Sequence, residues 1–207
     1  MILAIDTSGS RSGLALCDGD RLVAECQWQS GRRHSEQLLP QLDALCRLVA
    51  ITPAQIRTVA VALGPGSWSG IRVGISIAKG LALATDATVI GVATLDALAW
   101  ATRGQAGQAC VALGRGRYAV AAYPASMWLP GSVSAENVAA LPTTGPVWCD
   151  TEPASTLADT LPASFLQPQW ARPLTYAQIT HWLLTHPDAP RAVVEPIYLG
   201  DPVQRQP

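Results

Sequence analysis

The sequence predicts an α/β protein of two lobes, each a mixed sheet flanked by helices, with the second lobe small and degenerate. Three observations carry that prediction. Short apolar runs joined by turn residues open the chain, so its first sheet begins antiparallel. A continuous β-branched run then leads through a glycine-rich turn into a long apolar helix, the pattern of a strand covered on both faces. After Ala101 the texture changes: 13 of the 16 prolines lie beyond residue 100, so a less regular second half is expected.

Ile2 to Ile5, Gly13 to Cys17 and Arg21 to Gln27 read as three strands, and the connections SGSRS and DGD carry hairpin-turn chemistry. In HSEQLLPQLDALCRLVA, Leu38, Leu42, Leu45 and Val49 recur at helical spacing, with Leu39 and Cys46 widening the apolar face. Pro40 removes a backbone donor there, so the helix is expected either to kink or to start near it. Thr58 to Leu63 is the doubly covered strand. GPGSWSG follows, then a helix through IRVGISIAKGLALA on which Gly70, Gly74, Ala78 and Ala82 form a stripe of small residues, so something packs close. Thr88 to Val92 gives another strand, and a short helix begun at Thr94 runs from Leu95 to Ala101. The first lobe is thus residues 1–101 and the second 102–207. In the second, VALGRGRYAVAAY reads as a hairpin, VWC as a strand, YAQITHWLLTH as a late helix near 175–186 that packs back on the first lobe, and the tail EPIYLGDPVQRQP as extended.

The composition, 49% hydrophobic and 14% charged, is that of a packed globular chain, and a net charge of -1 gives no basic footprint for unaided nucleic-acid binding. Five scattered cysteines without a C-x-x-C pair read as buried thiols in a reducing compartment, so the cytoplasm is expected. No apolar run reaches ~18 residues, so neither export nor a membrane role is expected.

The glycine turn is neither a P-loop nor a dinucleotide fingerprint: the single lysine, Lys79, lies too far on, and the glycines are misplaced. A strand-to-helix glycine turn can still hold an anion on free amides; the plainer reading is that Gly64 and Gly66 serve a tight turn and Ser69 caps the helix. His181 and His186 are five apart on a helix, so a metal site is not expected, and His34 reads as a surface or interface residue. No G-x-S-x-G elbow supports acyl transfer. Asp6, Thr7 and Ser8, at the end of the first strand, suit the phosphates and magnesium of a nucleotide, and equally suit a self-satisfied turn. Strand, turn, strand, strand and helix is also how the actin-like and sugar-kinase ATPase (ASKHA) fold begins.

Taken together, AIDTS, HSEQLLP, GPGSWSGIRVGISIAKGLA and VIGVATLDALA, in that order, resemble the TsaB (YeaZ) family, glycoprotease-like by older label, over roughly the first hundred residues. The resemblance implies an ASKHA fold and a part in making threonylcarbamoyladenosine beside the tRNA anticodon. It implies a non-catalytic paralogue of TsaD that heterodimerises with it, with the ATPase TsaE assembling on the pair, a homodimer when alone, and tRNA reached only through the complex. The H-x-x-x-H metal pair of TsaD is absent here. No cofactor is required on this reading, and Asp6, Thr7, Ser8, Gly64 and Gly66 are vestigial phosphate-facing turns that hold ATP or ADP with magnesium weakly. His34, Leu38, Leu42, Leu45, Gly70, Gly74, Ile77, Ala78 and Leu81 are the expected partner-facing residues, the alternative being that both helix faces are internal core. Leu113 to Arg117 lack the acid of the family's D-A-R type stretch, and Gly200 stands where an Arg is usual, which argues against independent hydrolysis. The rival reading is an active small-molecule kinase or ATPase of the same fold.

Overall fold

Side-chain alternation along the first strand sets the architecture. β1 (Ile2–Asp6) is buried throughout, with Leu3 and Ile5 entering one apolar cluster and Ile2 and Ala4 another on the opposite face. A strand with two apolar faces needs cover on both. The computed structural model, which describes residues 1–31, 33–101, 105–114, 117–123, 146–149, 166–168 and 173–198, provides it.

β2 (Arg11–Asp18) pairs antiparallel with β1, and β3 (Arg21–Gln29) antiparallel with β2. β4 (Thr58–Ala62) runs parallel to β1, and β5 (Thr88–Val92) parallel to β4. The order is β3-β2-β1-β4-β5. Only β2 runs against the others. The crossover helices α1 (His34–Leu48) and α2 (Trp68–Thr85) cover the Leu3 and Ile5 face. The other face is covered by α4 (Pro173–Thr185), which brings Tyr176, Ala177, Ile179 and Leu183, and by Ala97 and Trp100 of α3 (Thr94–Ala101). The opposite side of α3, Leu95, Leu98 and Ala99, packs on the second sheet, so one helix of eight residues serves two cores. That sheet comprises β6 (Gly107–Gly114), β7 (Arg117–Tyr123), β8 (Val147–Cys149) and β9 (Leu166–Pro168), in the order β7-β6-β8-β9. β6 and β7 are antiparallel while β8 and β9 run parallel to β6, so it repeats the first sheet with no counterpart of β3 among the described residues.

Several expectations are corrected. α1 starts at His34, six residues before Pro40, so the helix does not wait for the proline. Its face is narrower than predicted: Leu38, Leu42, Leu45 and Cys46 are buried but Leu39 is 51% exposed. α3 begins at Thr94 as expected, but the Thr94 side chain does not cap it. The Thr94 amide donates to Gly64 O at 2.8 Å while its buried hydroxyl has no partner among the described residues, and Ala93 O accepts from Ala97 N, which puts Ala93 at the cap. β9, three residues ending in a proline, carries too little pattern to be read beforehand. The hairpin and the VWC strand of the second half stand where expected. Arg115, Gly116 and Gly200 lie outside the described residues.

The small-residue stripe marks where α2 is pressed onto the end of β1. A Cβ on Gly70 would collide with the Thr7 carbonyl, and one on Gly74 with Thr7 Oγ1, whereas one on Gly80 would meet nothing within 4 Å. Gly70→Ala is therefore expected to destabilise the fold by about 2 kcal/mol or more, because the obstacle is backbone and the helix must lift off the sheet. Gly80→Ala should instead stabilise by roughly 0.5–1 kcal/mol through helix propensity. Urea denaturation of both variants checks this, and equal effects would show that α2 is not seated as described.

Candidate phosphate-facing turn

β1 delivers Asp6 to the sheet's end, where the chain turns back toward β2. Its Oδ1 accepts from Ser8 N at 2.9 Å and from Ser8 Oγ at 2.7 Å, an Asx turn closed on itself. Asp6 is only 7% exposed, and burial raises its pKa above the usual carboxylate value, outweighing the Ser8 side-chain and backbone hydrogen bonds and the Tyr176 side chain, which act the other way. Thr7 Oγ1 donates to Gly70 O at 2.7 Å, tying the turn to the first turn of α2.

The glycine turn meets it from the other side. Ser67 N donates to Ser8 O at 2.6 Å, and the Cα of Gly66 lies so close that a Cβ would strike the same carbonyl. Gly64, at φ +94, adopts a conformation that only glycine takes readily, and a Cβ there would lie 2.6 Å from Ile71 Cδ1 and 3.1 Å from Ile197 O. The helix cap is Ser67, whose Oγ accepts from Gly70 N at 3.3 Å; Ser69 lies inside α2. So Asp6 is held by Ser8 and Ser8 meets Gly66, while Thr7 is tied to Gly70 and Gly64 packs on Ile71 and Ile197.

A hydroxyl network extends this knot. Ser12 Oγ lies 2.9 Å from His34 Nδ1 and 3.0 Å from Ser30 Oγ, which in turn donates to Ser10 O at 3.1 Å. His34 is 2% exposed, not a surface residue, and burial lowers its pKa against a smaller opposing hydrogen bond to the Gly31 backbone. A magnesium-bound triphosphate asks for an open, ionised carboxylate and unoccupied amides. Here burial favours the neutral acid, Pro173 Cγ of α4 abuts Gly13, Ile197 O covers Gly64, and Tyr198 stacks on Trp68 with ring centroids 3.9 Å apart. The turn as folded does not fit that group. Among the described residues no group of three or more His, Cys, Asp or Glu could hold a metal ion.

Of the expected partner-facing residues, His34, Leu38, Leu42, Leu45, Gly70, Gly74 and Ala78 are buried within this chain, and only Ile77 and Leu81 are half-buried. Sequence reasoning missed Pro173, Tyr176, Ile197 and Tyr198, which reach the site from beyond residue 170. The tail that contains PIYL reads as extended, and nothing in its spacing says where it lies.

Comparison with known proteins agrees with this architecture. The family model described as TsaD, tRNA N6-adenosine threonylcarbamoyltransferase, matches residues 28–125. The tRNA threonylcarbamoyladenosine biosynthesis protein TsaB of Bacillus subtilis (strain 168) is 37% identical over 98 residues, 47% of this chain and 43% of that protein. The protein of the same name from Escherichia coli (strain K12) is 36% identical over 98 residues, 47% of this chain and 42% of that one. Over this segment the chain resembles proteins of the TsaB (YeaZ) family. The matched segment spans less than half the length of these relatives. Beyond it, the structure of YeaZ from Pseudomonas aeruginosa shares the fold, with a TM-score of 0.75 at 19% identity over 96% of this chain and 99% of that one.

The two buried titratable groups act oppositely on stability. His34 has a folded pKa below its unfolded value of 6.5, so its contribution is complete above that pH and is lost as pH falls below it; His34→Gln should flatten this acid limb of the stability profile. Asp6 has a folded pKa above its unfolded value of 3.8, so its contribution is present below that pH and is lost as pH rises through the folded value. Asp6→Asn keeps an acceptor for Ser8 and should raise stability at pH 7 but not at pH 3, measured by denaturant titration at both; a loss at pH 7 would mean that the carboxylate charge is compensated.

Proposed function

We propose that this chain is a non-catalytic scaffold and activating subunit of the complex that transfers a threonylcarbamoyl group to the adenosine beside the tRNA anticodon. It acts by heterodimerising with a TsaD paralogue, on which the TsaE ATPase also assembles. The observation that carries this reading is the interlocked turn: the residues that would face a nucleotide are spent on each other, while the segment around them matches proteins named for threonylcarbamoyladenosine biosynthesis. A fold of kinases and ATPases with its phosphate turn closed is suited to association rather than turnover.

The work proceeds in the cytoplasm with no cofactor. No helix among the described residues is long and apolar enough to cross a membrane. With a net charge of -1, the chain reaches tRNA only through the complex. Partner contact falls on the outward faces of α1 and α2, where Leu39 and Leu83 are exposed, Ile77 and Leu81 half-buried, and Gly80 open. The same faces pair two copies when TsaD is absent. Gly74 cannot probe this contact, because a larger residue there strikes Thr7 first.

Reconstituted modification with TsaD, TsaE, the adenylate-forming enzyme, ATP, threonine, bicarbonate and tRNA should proceed only when this chain is added. Modification indifferent to it would overturn the proposal. Gly80→Arg combined with Leu83→Asp, both at exposed positions of α2, should weaken TsaD binding at least ~10-fold in a titration without lowering the urea midpoint. The isolated chain should bind ATP with magnesium no more tightly than about 1 mM, and tight binding with turnover would favour the kinase or ATPase reading.

A further inference from the structure

The second sheet places two thiols side by side. Cys110 of β6 and Cys149 of β8 are register partners on adjacent parallel strands, so their side chains project from the same face. That face is the one turned away from α3: Ala109 and Trp148 pack toward the helix, while Cys110 and Cys149 join Tyr118, Val120 and Val147 in a separate buried cluster. Of the other three cysteines, Cys17 stands opposite Leu22, Cys26 opposite Leu14, and Cys46 lies on α1. Five scattered cysteines with no sequence motif thus fold into one matched pair and three that lack a register partner of their own kind.

We propose that Cys110 and Cys149 form a dithiol that hydroperoxides convert reversibly into a disulfide. Neighbouring strands lie about 4.8 Å apart, within the ~4.4–6.8 Å that a disulfide allows between Cα atoms, while the Cβ atoms must close to ~3.5–4.5 Å. Bond formation therefore needs rotation of the two side chains toward one another and little movement of the strands.

One thiol gives up its proton and its sulfur attacks the peroxide O–O bond, forming a sulfenic acid and releasing water. The second sulfur displaces the hydroxyl, which leaves with that thiol's proton as a second water. Each sulfur loses one electron and the two peroxide oxygens gain two. Cys110 and Cys149 are 1% and 4% exposed, which selects hydrogen peroxide over bulky disulfides as the oxidant and makes reaction await local opening of the sheet. The consequence is specific to the second lobe, because the linked strands are those against which α3 packs.

The test is to treat the full-length protein with hydrogen peroxide, alkylate, and map peptides without reduction. Expected is a single linkage, Cys110 to Cys149, lowering the titratable thiols from five to three, reversed by dithiothreitol and absent in Cys149→Ser. Should that variant not fold, Cys110→Ala serves the same purpose, and the wild-type map stands on its own. Oxidation of the half-buried Cys26 while the Cys110 and Cys149 peptides remain thiols would overturn the proposal, as would their advance to sulfinic acid without linkage or retention of all five thiols.

Discussion

The contact between the β1 turn and the start of α2 is the constraint on which the first lobe depends. Thr7 offers its hydroxyl to the Gly70 carbonyl, Ser8 offers its carbonyl to the Ser67 amide, and Gly66, Gly70 and Gly74 remove every side chain that would keep the two segments apart. Helix and strand end thus touch through backbone, at a separation that no residue with a Cβ permits. Because α2 is also the crossover from β4 to β5, its seat on Thr7 positions the parallel half of the sheet relative to the antiparallel half.

This economy has an electrostatic consequence. Packing the turn so tightly leaves Asp6 in surroundings that favour its neutral form, with Ser8 the donor that satisfies it. A carboxylate that served a metal would be held open and charged; this one is buried and bonded by Ser8 and by Tyr176 of α4. His34 repeats the theme with the opposite sign, a base kept neutral among Ser12, Ser30 and the Gly31 backbone. Both groups are placed for packing and polar satisfaction within the chain.

What could be read beforehand followed from local pattern. Alternation in β1, β2 and β4, the 3.6-residue period of α1 and the glycine stripe of α2 are properties of contiguous sequence, and they named the elements and their order. That the stripe packs closely was legible too; what it packs against was not, since the partner, Thr7, lies 63 residues away. Periodicity identifies an apolar face without saying whether it looks inward or toward another molecule. For that reason Leu38, Leu42 and Leu45 could be read either as core or as interface, and His34, a polar residue at a helix start, gave no sign of the hydroxyl cage that buries it. The second lobe was less legible because strands of three residues, such as β8 and β9, are shorter than any window over which alternation can be recognised.

The way late segments close the first lobe narrows how the protein can meet a partner. α4 comes from after residue 170 yet completes the core beneath β1 and β2, and the segment leading to Tyr198 bridges Gly91 through Ala192 before stacking on Trp68. One sheet face is thereby closed by α4 and α3, and the other by α1 and α2, while the turn at the end of β1 is closed by α2, α4 and the Ile197 segment together. The central strands β1 and β4 are thus buried on both faces, while β3 at the sheet's edge is nowhere fully covered. A partner that binds without unfolding this lobe therefore has the outer sides of its helices and the sheet edges to work through, and among these α1 and α2 carry the most exposed large apolar side chains, Leu48 at 76% and Leu83 at 90%.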